Sequence, residues 1–181
     1  MQKILVIRND KLGDFMLAWP ALSLLKNQYP DSKVTVLIPS YTKPIAEICP
    51  WIDSIITDDT HKNTVSDALY LAKLIKQFDF DASISLYSEM RTAFALWLTH
   101  ISKRYGPATK LAQLFLNEKL TQNRSLSLKP EYEYNVDLVR HFITSNGDTA
   151  VSIQQPPYLQ FDQEEITELR QAYTNEHDID A

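Results

Sequence analysis

Between the first apolar run of the chain and its first helical pattern stands Arg8-Asn9-Asp10-Lys11-Leu12-Gly13-Asp14, two carboxylates and two cations in one turn. A carboxylate held about 2.6–3.2 Å from a hydroxyl can take its proton as a general base. Asp14 is the candidate, because it falls in the first turn of the helical pattern and can face a cleft. Two effects oppose each other there. A helix amino terminus favours the charged carboxylate by about 0.3–1 kcal/mol, whereas burial under a substrate raises its basicity. Residue chemistry alone leaves Asp14 as a base or a plain capping residue, and Asp10 with Lys11 as binding groups or a solvated turn. A dinucleotide site would want Gly-x-Gly-x-x-Gly here, so that backbone amides could approach a pyrophosphate. The turn has only Gly13, and the whole chain only three glycines, which argues against a phosphate cradle.

The remaining chemistry-bearing residues are scattered. Cys49 is the only cysteine, so no intrachain disulfide or cysteine metal cluster can form, which fits a reducing compartment. His61, His100, His141 and His177 stand apart, without metal-ligand spacing. No resident cofactor or metal is expected. His141 has apolar and aromatic neighbours at helical spacing, as a packed histidine would. Trp97 and Tyr105 suit either ligand stacking or packing.

Along the chain, strands and helices alternate. Ile4–Ile7 reads as a strand covered on both faces. Phe15, Trp19, Leu22, Leu25 and Tyr29 then form one helical stripe, within which Pro20 either kinks the helix or begins its regular part. Residues 33–39 predict a second strand, 41–48 a short helix, 54–57 a third strand, 65–78 a helix and 80–86 a strand. A helix over 90–98 and a short strand over 100–106 follow, then an ambiguous stretch, 110–116. Residues 131–145 predict a helix ending at Asn146-Gly147. Residues 154–161 form a proline-containing connector, and Asp162 caps a last helix over 163–173. The alternation implies an α/β fold, a Rossmann-like doubly wound and mostly parallel sheet. Such sheets bind ligands at the carboxyl ends of their strands, here after Ile7, Ile38, Leu86 and Arg104. Arg8, Lys11, Arg91 and Arg104 are expected there by these strand bounds. Lys11 also fits a solvated position and Arg91 a helix surface.

The 181 residues suffice for one domain, or for one domain of a larger enzyme. The net charge of −5 is uneven: residues 162–181 hold seven carboxylates and one arginine, leaving 17 basic against 16 acidic side chains before them. A nucleic-acid protein would show a basic face, so no nucleic-acid partner is expected. With no secretory leader pattern and no run of about 18 apolar residues, a cytoplasmic protein is expected, able to touch a membrane surface.

The string "KILVIRNDKLGDFMLAWPALSLLKNQYPDSKVTVLI" resembles the opening of glycosyltransferase family 9, the lipopolysaccharide heptosyltransferases. Its turn, Arg-x-(Asp/Ser)-x-(Leu/Ile/Met)-Gly-Asp, and the following Pro-(Ala/Val)-Leu match Arg8, Asp10, Leu12, Gly13, Asp14, Pro20, Ala21 and Leu22. "PWIDSII", "FDASISL", "KRYG", "EYNVDLVRHF" and "PPYLQF" follow the family layout, so the resemblance covers residues 1–161. It implies the amino-terminal half of a GT-B enzyme: residues 1–161 bind the acceptor, and the acidic helical segment 162–181 leads towards a missing donor-binding domain. It also implies inverting transfer from a nucleotide sugar such as ADP-heptose, a co-substrate held by that missing domain, to the lipopolysaccharide inner core or another glycan. Asp14 would be the general base, and Arg8, Asp10, Lys11, Gly13, Arg91 and Arg104 would line the acceptor site. The location implied is cytoplasmic, peripheral at the inner membrane. Family members are roughly twice this length, so this chain alone is expected to be inactive. A binding module of the same fold is the main rival reading. A receiver-like domain using Asp58 or Asp59 with Lys103 is a weaker one, because it leaves Gly13-Asp14 unexplained.

Overall fold

Six strands lie side by side in the order β3-β2-β1-β4-β5-β6, every neighbouring pair parallel. They are β1 (Lys3–Ile7), β2 (Lys33–Ile38), β3 (Ser54–Thr57), β4 (Ala82–Ser85), β5 (Lys103–Pro107) and β6 (Glu118–Leu120). The computed structural model describes residues 1–59, 64–109, 111–159 and 162–177. His61, Lys110, Gln160, Phe161 and the acidic Asp178 and Asp180 lie outside the described residues, as does the side chain of His177. The doubly wound fold is therefore present, with an all-parallel sheet among the described residues.

β1 shows why its sequence is an unbroken apolar run. Ile4 and Val6 enter the core on one face of the sheet, and Leu5 and Ile7 the core on the other. The first core is covered by α2 (Trp19–Gln28) and α6 (Glu131–Ser145), the second by α4 (Val65–Lys76) and α5 (Met90–Thr99). A strand buried on both sides has no polar face to alternate with.

The stripe from Phe15 to Tyr29 is split into α1 (Leu12–Met16) and α2. Pro20 lacks an N–H and its ring conflicts with a carbonyl one turn back, so it occupies the first turn of α2, where neither matters. Ala21 N, which in an unbroken helix would reach the Leu17 carbonyl, bonds to Ala18 O at 3.0 Å.

α3 (Lys43–Glu47) is preceded by a 3₁₀ turn, Ser40–Thr42. Thr64 and Asp67 form a reciprocal capping box at the start of α4. α6 ends at Asn146, followed by Gly147 at φ 87°, a left-handed backbone that suits glycine. Asp162 Oδ1 accepts from Glu164 N at 2.7 Å, capping α7 (Gln163–His177), which is exposed along nearly its whole length. The ambiguous stretch is a 3₁₀ helix, Leu111–Phe115, and it leads into β6, a strand that the sequence pattern does not indicate.

Candidate functional site

Chain order reverses between β1 and β4, which places the crevice of the sheet beyond their carboxyl ends. The turn 8–14 fills that position. Arg8 N extends the ladder to Leu37 O at 3.1 Å, and its side chain, 4% exposed, runs across the strand ends. Its guanidinium donates to Leu86 O, to Asn135 Oδ1 and to Glu131 Oε1, each at 3.2 Å. It also pairs with Asp10 at 2.9 Å and with Asp14 at 3.3 Å. Three carboxylates thus converge on one buried cation.

The rest of the turn is pinned just as firmly. Asn9 Nδ2 donates to Glu89 Oε2 at 3.0 Å and Thr92 Oγ1 at 3.2 Å, and Tyr41 OH donates to Asp10 O at 2.6 Å. Asn135, fully buried on α6, donates to the Leu17 carbonyl at 3.0 Å, the acceptor released by the α1–α2 break. One amide therefore fixes both Arg8 and the end of the helix that carries Asp14.

Asp14 is 33% exposed, with Arg8 on one side and solvent on the other. No side chain caps α1 through a hydrogen bond; Asp14 pairs with Arg8 instead. Burial pushes the Asp10 carboxyl above its ordinary value, against the pull of Arg8. Lys11 is exposed at the amino end of α1. Gly13 lies within α1 without a positive φ, and a Cβ there would meet nothing within 4 Å. Gly13 therefore leaves open ground beside Asp14.

Two cations expected to face this ground do not. Arg104 stands near the start of β5 rather than its carboxyl end, which is Pro107, and it donates to Phe115 O at 2.9 Å and to Ile101 O. Arg91 is buried on α5, its Nη2 2.7 Å from Asp58 Oδ2 and 3.4 Å from Glu89 Oε2. Burial would lower its pKa, but these carboxylates outweigh it and raise it. Both guanidiniums are engaged within the fold. Tyr105 is fully buried against Phe142 and His141, whereas Trp97, about half exposed, stacks on Phe94. Cys49 is buried in the core, which pushes its thiol up to about 11.

Glu131 and Arg124 join the site although no motif in the sequence singles them out, and Asn135 joins it from within the quoted EYNVDLVRHF. Asn135 does leave a trace: it lies on the stripe of Leu138, Val139 and Phe142, where an amide needs partners. Arg124 Nη1 reaches Glu131 Oε1 at 2.5 Å, so the cluster holds Asp10, Asp14 and Glu131 against Arg8 and Arg124.

No protein-family model matches the chain. A Haemophilus influenzae protein named "Putative glycosyltransferase" is 48% identical over 170 residues, which are 94% of this chain and 49% of that protein. In structure, the Escherichia coli ADP-heptose lipopolysaccharide heptosyltransferase II superposes with a TM-score of 0.74 at 19% identity, over 96% of this chain and 51% of that one. The glycosyltransferase family 9 structure from Veillonella parvula gives 0.73 at 20% identity, over 99% and 50%. The chain resembles the heptosyltransferase-like glycosyltransferases of family 9. It spans about half the length of each of these relatives. The turn 8–14, which carries the resemblance in sequence, is the segment organised around Arg8.

Proposed function

We propose that residues 1–161 are the acceptor-binding domain of an inverting glycosyltransferase, and that 162–181 lead towards a donor-binding domain of GT-B type. The observation that carries this reading is Asp14, held 3.3 Å from buried Arg8 and open on its other side at the crevice of the sheet. In the proposed step, Asp14 takes the proton of an acceptor hydroxyl whose oxygen bonds to the anomeric carbon of the donor sugar. The bond from that carbon to the nucleotide diphosphate breaks, and the diphosphate leaves with the electron pair. Arg8 and Asp10 hold the turn, while Lys11 and the open ground at Gly13 meet the acceptor.

The donor is an ADP-heptose-like nucleotide sugar and the acceptor a lipopolysaccharide core, by analogy with the Escherichia coli heptosyltransferase, whose name carries both. No helix among the described residues is long and apolar enough to cross a membrane; the location proposed is cytoplasmic, peripheral at the inner membrane. The test is Asp14→Asn in the gene product that carries both halves. Turnover falls by about 10²–10⁴, with the acceptor KM changed far less. Full turnover in that variant would place the base outside these residues and favour the alternative, in which they form a sugar- or anion-binding module that takes no part in the chemistry.

A further inference from the structure

One side of the molecule is apolar where it meets solvent. α5 has a single charged residue, Arg91, which is buried, as are its hydroxyl residues Thr92 and Thr99. The neighbouring 3₁₀ helix, Leu111–Phe115, has no charged residue at all. Met90 and Trp97 are about half exposed, and Leu111 and Leu114 more so. The rings of Phe94, Trp97 and Phe115 have their centroids within 6.0 Å of one another, which ties the two helices into one surface. α4, packed beside α5, extends it. Its Val65 lines a shallow cavity of about 230 Å³ together with Met90, Phe94 and Phe115, and one turn further on Leu69 and Tyr70 are also exposed. Single exposed apolar side chains are ordinary, whereas a contiguous patch marks a contact surface.

The chemistry of the patch favours lipid over protein as its cover. A protein interface carries about one hydrogen bond per 100–200 Å², and α5 turns no charged or hydroxyl group towards solvent. Tryptophan and tyrosine, apolar rings with a polar edge, suit the level of lipid headgroups. Cations stand at the margin: Lys73, exposed, lies one turn beyond Leu69 and Tyr70, and exposed Lys76 one turn beyond that. A lysine can lay its stem along apolar surface and reach an anionic headgroup with its ammonium. The only carboxylate of α4, Asp67, is held in the capping box with Thr64. The patch also begins at the crevice, because Glu89, immediately before Met90, accepts from Asn9 of the turn 8–14.

We propose that this side of the domain seats on an anionic lipid bilayer, with Met90, Trp97, Leu111 and Leu114 entering the interface and Lys73 and Lys76 meeting headgroups. The mouth of the crevice then lies at the membrane surface, in reach of an acceptor whose lipid stays in the bilayer. That consequence rests on the transferase reading; the lipid-binding surface itself does not.

The experiment is a titration of the 181-residue chain with vesicles of phosphatidylcholine and phosphatidylglycerol in equal parts, read by sedimentation and by tryptophan fluorescence. Trp19 and Trp51 are buried in the core, so Trp97 is the reporter. Bromine on the acyl chains quenches Trp97, and Trp97→Phe removes the quenching while sedimentation with vesicles persists. Leu114→Asp weakens binding at least about tenfold, since it loses apolar burial and carries a charge into the interface. Leu111→Asp repeats the test should Leu114→Asp not fold. Lys73→Gln combined with Lys76→Gln weakens binding about tenfold at low salt, and vesicles of phosphatidylcholine alone bind less well. Leu169→Asp, an equally exposed leucine on α7 away from the patch, binds as the wild type does. No binding to anionic vesicles, equal binding to neutral ones, binding that folded Leu114→Asp or Leu111→Asp leaves unchanged, or quenching that survives Trp97→Phe overturns the proposal. So does a dimer in sedimentation velocity that Leu114→Asp dissociates, since a second copy then covers the patch. Binding is read here without turnover. Failed vesicle binding alongside lost turnover in Asp14→Asn would therefore retire the membrane surface and keep the transferase reading, and the reverse pattern would retire the transferase alone.

Discussion

Arg8 gathers Asp10, Asp14 and Glu131 around one guanidinium that is 4% exposed, and such a cluster should carry a pH signature. Asp10 supplies it, because burial outweighs Arg8 and leaves its pKa above the ordinary 3.8. A raised folded value means that the folded protein binds this proton more tightly than the unfolded chain. The contribution to stability is then fully present below the unfolded value and is lost as pH rises through the folded one. Asp10→Asn escapes that loss. Its melting temperature should exceed that of the wild type at neutral pH, and the gap should close as the pH falls below about 4. A gap that is constant would show that the Arg8–Asp10 attraction cancels desolvation, and one that widens in acid that it outweighs it. Gly13 gives a second test at this scale. With open space around its Cβ position and a helical backbone, Gly13→Ala should stabilise by up to about 1 kcal/mol. Lost turnover despite that gain would show that a ligand uses the open space; an unstable variant would refute the backbone argument.

At the scale of elements, α6 is the brace of the site, since Glu131 and Asn135 reach Arg8 across 123 and 127 positions of sequence. Glu131→Ala leaves Arg8 with Asp10 and Asp14 but takes the carboxylate from Arg124. A loss of about 1–3 kcal/mol in urea unfolding is expected, and an unchanged midpoint would mean that Glu131 merely decorates the surface. Contacts of such separation explain what the sequence conceals. The turn 8–14 is local and carries its own residue types, and Asp162 is legible as a cap from its position alone. Glu131 and Arg124 owe their importance to partners that no spacing rule connects. β6, with the sequence Glu-Lys-Leu, is too short to alternate, so no pattern marks it. Arg104 falls short of the strand end expected for it because β5 runs on to Pro107, a residue that can sit in a strand only where its missing N–H is not needed. Pro20 marks the break between α1 and α2, although only the structure distinguishes a kink from a new start.

The whole molecule completes a sheet with an apolar core on each face, which is what an independently folding domain requires. Trp19 and Trp51, buried edge to face at 6.3 Å, report on one of those cores by fluorescence. Their unfolding in urea should coincide with loss of helix by circular dichroism, as in a two-state domain. Folding alone does not make a transferase of it. At the crevice Arg8 is committed to carboxylates, and the turn has one glycine where a pyrophosphate cradle needs several. Nucleotide sugar should therefore leave calorimetry of the isolated 181-residue chain without a binding isotherm, and the chain should transfer no sugar. A nucleotide sugar bound with micromolar affinity would locate a donor site within these residues and remove the need for a second domain. Separate unfolding transitions would instead show that the two cores are not one cooperative unit, and the brace from α6 to Arg8 would be the first contact to re-examine.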